Sequence, residues 1–228
     1  MSIVRRNIHG VAYHDPDQAH FGYTLFAPMF GRNVWLINMA GQVVHRWQME
    51  NVPGNYGKLL KNGNLLYAGK LMPSPLPEFG GNGGQLIEVD WAGNTVWEYR
   101  DPLHSHCFAE ADNGNLLIAQ WRAVPEDIAR VVQGGQPGTE REGVMWGEAI
   151  QEIDRRSREV IWEWRTFDHL DPDIDIIGPL HPRDRWTNLN AITVLADGNL
   201  LVSFRCINTI AIIDRTRGDI IWRWGPGE

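Results

Sequence analysis

The chain has 228 residues, 21 Lys and Arg against 28 Asp and Glu for a formal net charge of −7, and only two cysteines. That balance disfavours nucleic-acid binding as a general property, and two cysteines make no disulfide framework. A hydrophobic share of 43% suits a globular domain, while no apolar run approaches the ~18 residues needed to cross a bilayer.

The opening stretch carries Arg5 and Arg6 with no apolar segment behind them, so no secretory leader is read here. A cytoplasmic location is the expectation, or a periplasmic one if a leader has been trimmed. Further on, Val34-Trp35-Leu36-Ile37-Asn38 and Val43-Val44-His45-Arg46-Trp47 alternate as strands. Asn62-Gly63, Asn113-Gly114 and Asp197-Gly198, each followed by Asn-Leu-Leu, then mark three hairpins. Such dipeptides predict two-residue type I′ turns, in which both central residues take positive φ. Each hairpin is followed by a strand closing in Asp90, Asp154 or Asp214, and then by a strand containing Trp97, Trp162 or Trp222.

His45, Trp97, Trp162 and Trp222 therefore recur at intervals of about 50–65 residues, four strands to a unit, as propeller blades do. The expected fold is all-β, a single β-propeller domain over 1–228 with about four blades present. The tryptophans are expected to fill the gaps between neighbouring blades. Insertions interrupt the repeat at about 122–147, where Pro125-Glu126-Asp127 predicts a short helix, and at about 166–186.

Two-residue turns set Asn55 opposite Lys70, His106 opposite Trp121 and Asn190 opposite Arg205, all at the open ends of their hairpins. In a propeller these ends converge on one mouth of the central channel. Lys70, Arg122 and Arg205 with Asn55, His106 and Asn190 would gather there as an anion site, since arginine offers a fork that matches sulfate, phosphate or carboxylate oxygens. Arg122 belongs only if its strand ends beside it, because alternation otherwise turns it away. Arg130 and Arg141 of the first insertion are further candidates for the rim.

Several segments resemble the bacterial arylsulfate sulfotransferase family. These are Trp186-Thr187-Asn188-Leu189-Asn190, Ser203-Phe204-Arg205, the run from Ile213 to Trp222, and the opening from Gly22 through Trp47. The resemblance implies a six-bladed propeller that moves a sulfuryl group between phenols through a sulfohistidine. Its Trp-Thr-His-x-Asn segment places Asn188 where the family has histidine and keeps Asn190. Arg205 matches the arginine of a Ser-x-Arg segment, and His106 matches the second histidine of a His-His-Asp-Phe segment. The family's nucleophilic histidine follows a Trp-Gly-x-Gly-Glu sequence, and here Trp224-Gly225-Pro226-Gly227-Glu228 closes the chain. About two blades and that histidine are thus expected in a longer parent.

The resemblance gives His106, Asn190 and Arg205 catalytic support and places Asn188 among the substrate contacts, to which the hairpin register adds Lys70, Arg122 and Asn55. The expected ligands are an aryl sulfate and a phenolic acceptor, with no cofactor, no metal, no nucleic acid and no membrane. Self-association through open blade edges is a further expectation. The alternative is a non-catalytic propeller that binds a ligand or a protein. His104 reads as a solvated loop residue. Cys107 and Cys206 read as buried free thiols, each turned away from its neighbouring site residue. Asp171-Pro172-Asp173-Ile174-Asp175 imitates the start of a calcium loop but lacks its sixth glycine and twelfth glutamate.

Overall fold

The structure is a computed structural model that describes residues 10–76 and 79–226; the Asn55 side chain also lies outside the description. The leader reading at Arg5 and Arg6, and Gly227-Glu228 of the closing segment, therefore fall outside the described residues. Two compact units divide the chain, Met1–Met72 with Gln85–Tyr99 and Pro73–Gly84 with Arg100–Glu228.

In the first unit β1 (Tyr23–Phe26), β2 (Asn33–Asn38) and β3 (Val43–Gln48) form an antiparallel three-stranded sheet. A four-stranded sheet follows in the order β4 (Pro53–Leu59), β5 (Leu65–Lys70), β6 (Gly84–Val89) and β7 (Thr95–Arg100). Val34, Leu36, Trp47, Leu65, Tyr67 and Val89 make its core.

The second unit begins with β8 (His104–Glu110) and β9 (Leu116–Ala123), which form one sheet with β11 (Trp146–Ile153) and β12 (Val160–Arg165). Between β9 and β11 lie the helix α1 (Glu126–Ala129), as Pro125 and the acids beside it predict, and β10 (Gly134–Gln136). β13 (Ile177–Pro182) pairs with β10 in parallel, so the two insertions join each other as a small sheet. A last meander runs β14 (Leu189–Val194), β15 (Leu200–Phe204), β16 (Thr209–Ile213) and β17 (Ile220–Trp224). Such consecutive four-stranded meanders are the blades of a propeller, and the fold class is all-β of that type. Among the described residues no helix is long and apolar enough to cross a membrane.

Blades within each unit are joined by tryptophan. Trp47 donates its indole N–H to the Asp90 carbonyl at 2.9 Å, and Trp164 donates to the Gly218 carbonyl at 2.8 Å. These rings are 1% and 2% exposed. The docked ring therefore stands two residues beyond the position that the repeat singled out. Trp162 is half-buried, with Arg215 over its ring at 5.8 Å, and Trp222 is 48% exposed. Strand alternation puts both residues of each pair on one face, and only the one nearer the strand's end reaches the neighbouring turn.

The hairpins depart from expectation by one residue. Gly63, Gly114 and Gly198 have φ of 86°, 82° and 85°, whereas Asn62, Asn113 and Asp197 are not left-handed. Leu60 and Asn64 bracket a three-residue loop, and the Asn62 side chain accepts the Asn64 N–H at 2.9 Å. This is a type I turn closed by a left-handed glycine, which adds a bulge residue. β4, β8 and β14 each carry a second irregularity further along, between Pro53 and Gly57, His104 and Phe108, and Leu189 and Ala191. All three expected cross-strand pairs are lost in consequence. Lys70 hydrogen-bonds Val52, Trp121 hydrogen-bonds Leu103, and Arg205 hydrogen-bonds Asn188 instead of Asn190.

Replacing Trp164 by alanine removes a buried ring and leaves the Gly218 carbonyl without its donor, so a loss of about 3–5 kcal/mol is expected. Trp222→Ala, at the repeat position, is expected to cost about 1 kcal/mol or less. The shift of the urea midpoint in the two variants measures the difference.

Candidate functional site

The irregular ends of β8 and β14, which pack against each other in the second unit, carry the residues of interest. A bulge breaks the alternation of a strand and re-aims its side chains. On β8 it turns His104 inward, so that this residue is 1% exposed rather than solvated. Burial lowers its pKa to about 4, and among the described residues its Nδ1 has no hydrogen-bond partner.

His106 is half-buried, and burial lowers its pKa too. Its Nδ1 lies 3.0 Å from the Cys107 sulfur, and burial pushes that thiol well above its ordinary pKa. Cys107 and Cys206 are both free and buried as expected. The bulge nevertheless brings Cys107 onto its neighbouring histidine instead of away from it. Gly81 has φ 85°, and a Cβ there would collide with the His106 ring, so only glycine lets the loop lie flat on the imidazole.

Ahead of β14, Asn188 adopts φ 50° and is buried. Its carbonyl accepts the Arg205 N–H at 3.0 Å, and the Thr187 carbonyl accepts the Cys206 N–H at 2.9 Å. Beneath this turn lies Glu148 of β11, fully buried, with its carboxylate accepting the Thr187 hydroxyl. Burial pushes the Glu148 carboxyl up to about 7, opposed by the Thr187 hydroxyl, the amides of Leu189 and Asn188, and the Arg185 charge. At neutral pH it is thus divided between acid and carboxylate.

A second buried carboxylate, Asp184, holds Arg185 at 2.8 Å and Arg141 at 2.9 Å. Burial, together with the charges of Arg205 and Arg185, depresses the pKa of His181. Arg185 and Arg205 therefore lie near enough to His181 to act on it, and the three form one basic cluster in the second unit. Arginine forks with an adjoining neutral imidazole suit a tetrahedral oxyanion.

Of the residues singled out in sequence, His106, Asn188, Asn190 and Arg205 lie on or beside β8 and β14. Asn190 is exposed inside the bulge, and Arg205 is exposed with its backbone fixed by Asn188. Arg122 pairs with Glu163 at 2.9 Å between β9 and β12. Arg130 pairs with Glu126 on α1. Lys70 ends β5 in the first unit, half-buried, and the Asn55 side chain lies outside the description. Asp175 accepts the Asp171 N–H and pairs with Arg223, which gives the calcium-like segment a structural task.

Sequence reasoning passed over Glu148, Asp184, Arg185 and His181. A glutamate inside the apolar run from Trp146 to Ile153, and the Asp184-Arg185 pair just before Trp186, were the available signals.

The two buried titrating groups oppose each other with pH. Glu148, raised from 4.5, contributes stability at low pH that is lost as pH rises through about 7. His104, lowered from 6.5, contributes stability above 6.5 that is lost as pH falls toward 4. Relative to the native chain, Glu148→Gln is expected to gain stability as pH rises from about 4.5 to 7, by up to roughly 1.4 kcal/mol per pH unit. His104→Asn is expected to gain as pH falls across its own window. Urea midpoints measured from pH 4.5 to 8 give both slopes, and parallel curves for Glu148→Gln and the native chain would exclude the Glu148 shift.

Comparison with known proteins adds the family. The chain resembles a virginiamycin B lyase from Staphylococcus aureus at 14% identity and TM-score 0.49, covering 92% of this chain and 57% of that one. It resembles hydrazine synthase from Kuenenia stuttgartiensis at 13% identity and TM-score 0.54, covering 86% of this chain and 49% of that one. BamB from Moraxella catarrhalis aligns at 12% identity and TM-score 0.45, covering 88% and 49%. The chain thus spans about half the length of these three structures, and at such identities the likeness is one of fold alone. No curated protein sequence matches. The family model for arylsulfotransferase (ASST) matches residues 23–228, and it includes every strand described above. The chain belongs to the arylsulfotransferase family.

Proposed function

We propose that the chain binds aryl sulfate anions at the cationic cluster of its second unit, and that it serves sulfuryl transfer between phenols in the complete protein. The observation that carries this reading is the family match over residues 23–228, which includes Arg205, Asn190 and His106 on the segments that resemble the family. Arg205, which is exposed, supplies a fork for the sulfate oxygens, and Arg185, held by Asp184, adds positive charge nearby. Burial lowers the His106 pKa and so favours its neutral form, whose ring N–H can donate a hydrogen bond to a sulfate oxygen.

In such a transfer an imidazole nitrogen bonds to sulfur as the sulfur–oxygen bond to the first phenol breaks, and the electron pair leaves on the phenolate oxygen. Positive charge and N–H donors stabilise that oxygen. The second phenol then bonds to sulfur, the sulfur–nitrogen bond breaks, and the phenol's proton passes to a base. Within this scheme His106, Asn190 and Arg205 bind and orient the sulfate, and the attack belongs to another histidine. One observation favours the alternative of a binding module: Asn188 stands where the family has histidine, and its side chain is buried.

Calorimetric titration of the chain with 4-nitrophenyl sulfate tests the reading. Binding is expected, and Arg205→Gln is expected to weaken it about tenfold, as loss of one charge-assisted hydrogen bond does. Failure of the folded chain to bind overturns the proposal. Binding without phenol-dependent nitrophenol release by the complete protein leaves the binding module as the function.

A further inference from the structure

Glu148, near the start of β11, is fully buried and cannot itself touch a ligand. A carboxyl in such a place is destabilising unless hydrogen-bond donors face it. Here those donors come from one turn. The Thr187 hydroxyl donates to Oε2, and the amides of Asn188 and Leu189 face the same carboxyl. The Cys107 thiol of β8, the Cys206 thiol beyond β15 and the Arg185 charge ahead of β14 are its other neighbours. The Glu148 N–H donates to the Thr166 hydroxyl at 3.2 Å, which holds the backbone of this residue in turn.

The turn needs a hold of its own. Asn188 has φ 50° and is buried, and a residue other than glycine keeps a left-handed backbone only where its surroundings enforce it. On the side away from Glu148 the turn is tied to the end of β15. The Asn188 carbonyl accepts the Arg205 N–H at 3.0 Å, and the Thr187 carbonyl accepts the Cys206 N–H at 2.9 Å. Side chain and amides are thus gripped by the carboxyl, and carbonyls by residues 205 and 206. Two residues further on stands Asn190, exposed, as Arg205 is.

The two oxygens of Glu148 separate its charge from its grip. Oε2 takes the Thr187 hydroxyl, whereas Oε1 is buried without a hydrogen-bond partner among the described residues. A carboxyl that carries its proton on Oε1 still accepts at Oε2. What the turn requires is therefore an acceptor of this length, and a glutamine oxygen meets that requirement as well as a carboxylate does.

We propose that Glu148 is a positioning residue for the anion site: through Thr187 and the amides of Asn188 and Leu189 it fixes the turn that holds Arg205 and presents Asn188 and Asn190. The ligand in this inference rests on the proposed anion binding, while the grip on the turn stands on the hydrogen bonds themselves. An acidic side chain inside the sheet of β8, β9, β11 and β12 then sets where an arginine of the following sheet stands.

The test combines calorimetric titration with 4-nitrophenyl sulfate, amide hydrogen exchange at Arg205 and Cys206, and urea midpoints. Glu148→Leu with Thr187→Val replaces both buried partners by apolar groups of similar size, so this double variant is expected to keep a native-like midpoint. It is nevertheless expected to bind the sulfate about tenfold more weakly, and to exchange both amides about tenfold faster, because the turn has lost its acceptor. Thr187→Val alone is expected to weaken binding in the same direction. Glu148→Gln and Thr187→Ser, which keep the acceptor and the hydroxyl, are expected to stay within about threefold of the native chain in both readouts. A role in stability alone would move affinity and midpoint together. If the double variant does not fold, Thr187→Val against Thr187→Ser decides. Native affinity or native exchange in the folded double variant overturns the inference, and so does a Glu148→Gln chain as impaired as the double variant. Absence of sulfate binding by the native chain, with the exchange pattern as expected, overturns the anion-site reading and leaves the grip on the turn standing.

Discussion

A four-stranded antiparallel blade leaves apolar residues on both faces, and it is stable only when a neighbouring blade covers them. In this chain that demand is met through an indole N–H. Trp47 and Trp164 bury a large ring in the gap and, by donating to the Asp90 and Gly218 carbonyls, satisfy a turn that the gap would otherwise leave dry. The hydrogen bond fixes the ring against one particular turn, so hydrophobic burial acquires a direction.

The inner strands are where the regular pattern gives way. β4, β8 and β14 each begin irregularly and become regular toward their hairpins. A regular ladder would have presented alternate side chains to opposite faces. The bulges instead place His104 inside, lean Cys107 on His106, and put Asn188 in a left-handed turn whose carbonyl holds Arg205. Positions one apart in sequence, such as His106 and Cys107, which alternation would separate, come into contact.

Two buried carboxylates then set the electrostatics. Asp184 is neutralised by two arginines and fixes where they stand. Glu148 has only a hydroxyl, backbone amides and a more remote arginine, so burial outweighs its partners and its pKa rises. In a chain of net charge −7 these arrangements still leave Arg205 exposed. Arg122, which sequence spacing grouped with Lys70 and Arg205, pairs with Glu163, a partner on β12 that no hairpin rule could have named.

The sequence by itself determined the all-β blade repeat, the short helix after Pro125, the buried thiols and the family. Each is written in local pattern: alternation, Asn-Gly turns, Pro before acids, and segments such as Trp186-Thr187-Asn188-Leu189-Asn190. Only the tertiary structure decided which side chains meet. One residue added in each turn and a second irregularity in each inner strand moved the partner of Arg205 from Asn190 to Asn188. Because side-chain direction alternates with period two, each one-residue irregularity reverses the face on which the following residues stand, and the second restores it. Glu148, Asp184, Arg185 and the parallel pairing of β10 with β13 bring together residues distant along the chain, through contacts that no local pattern encodes.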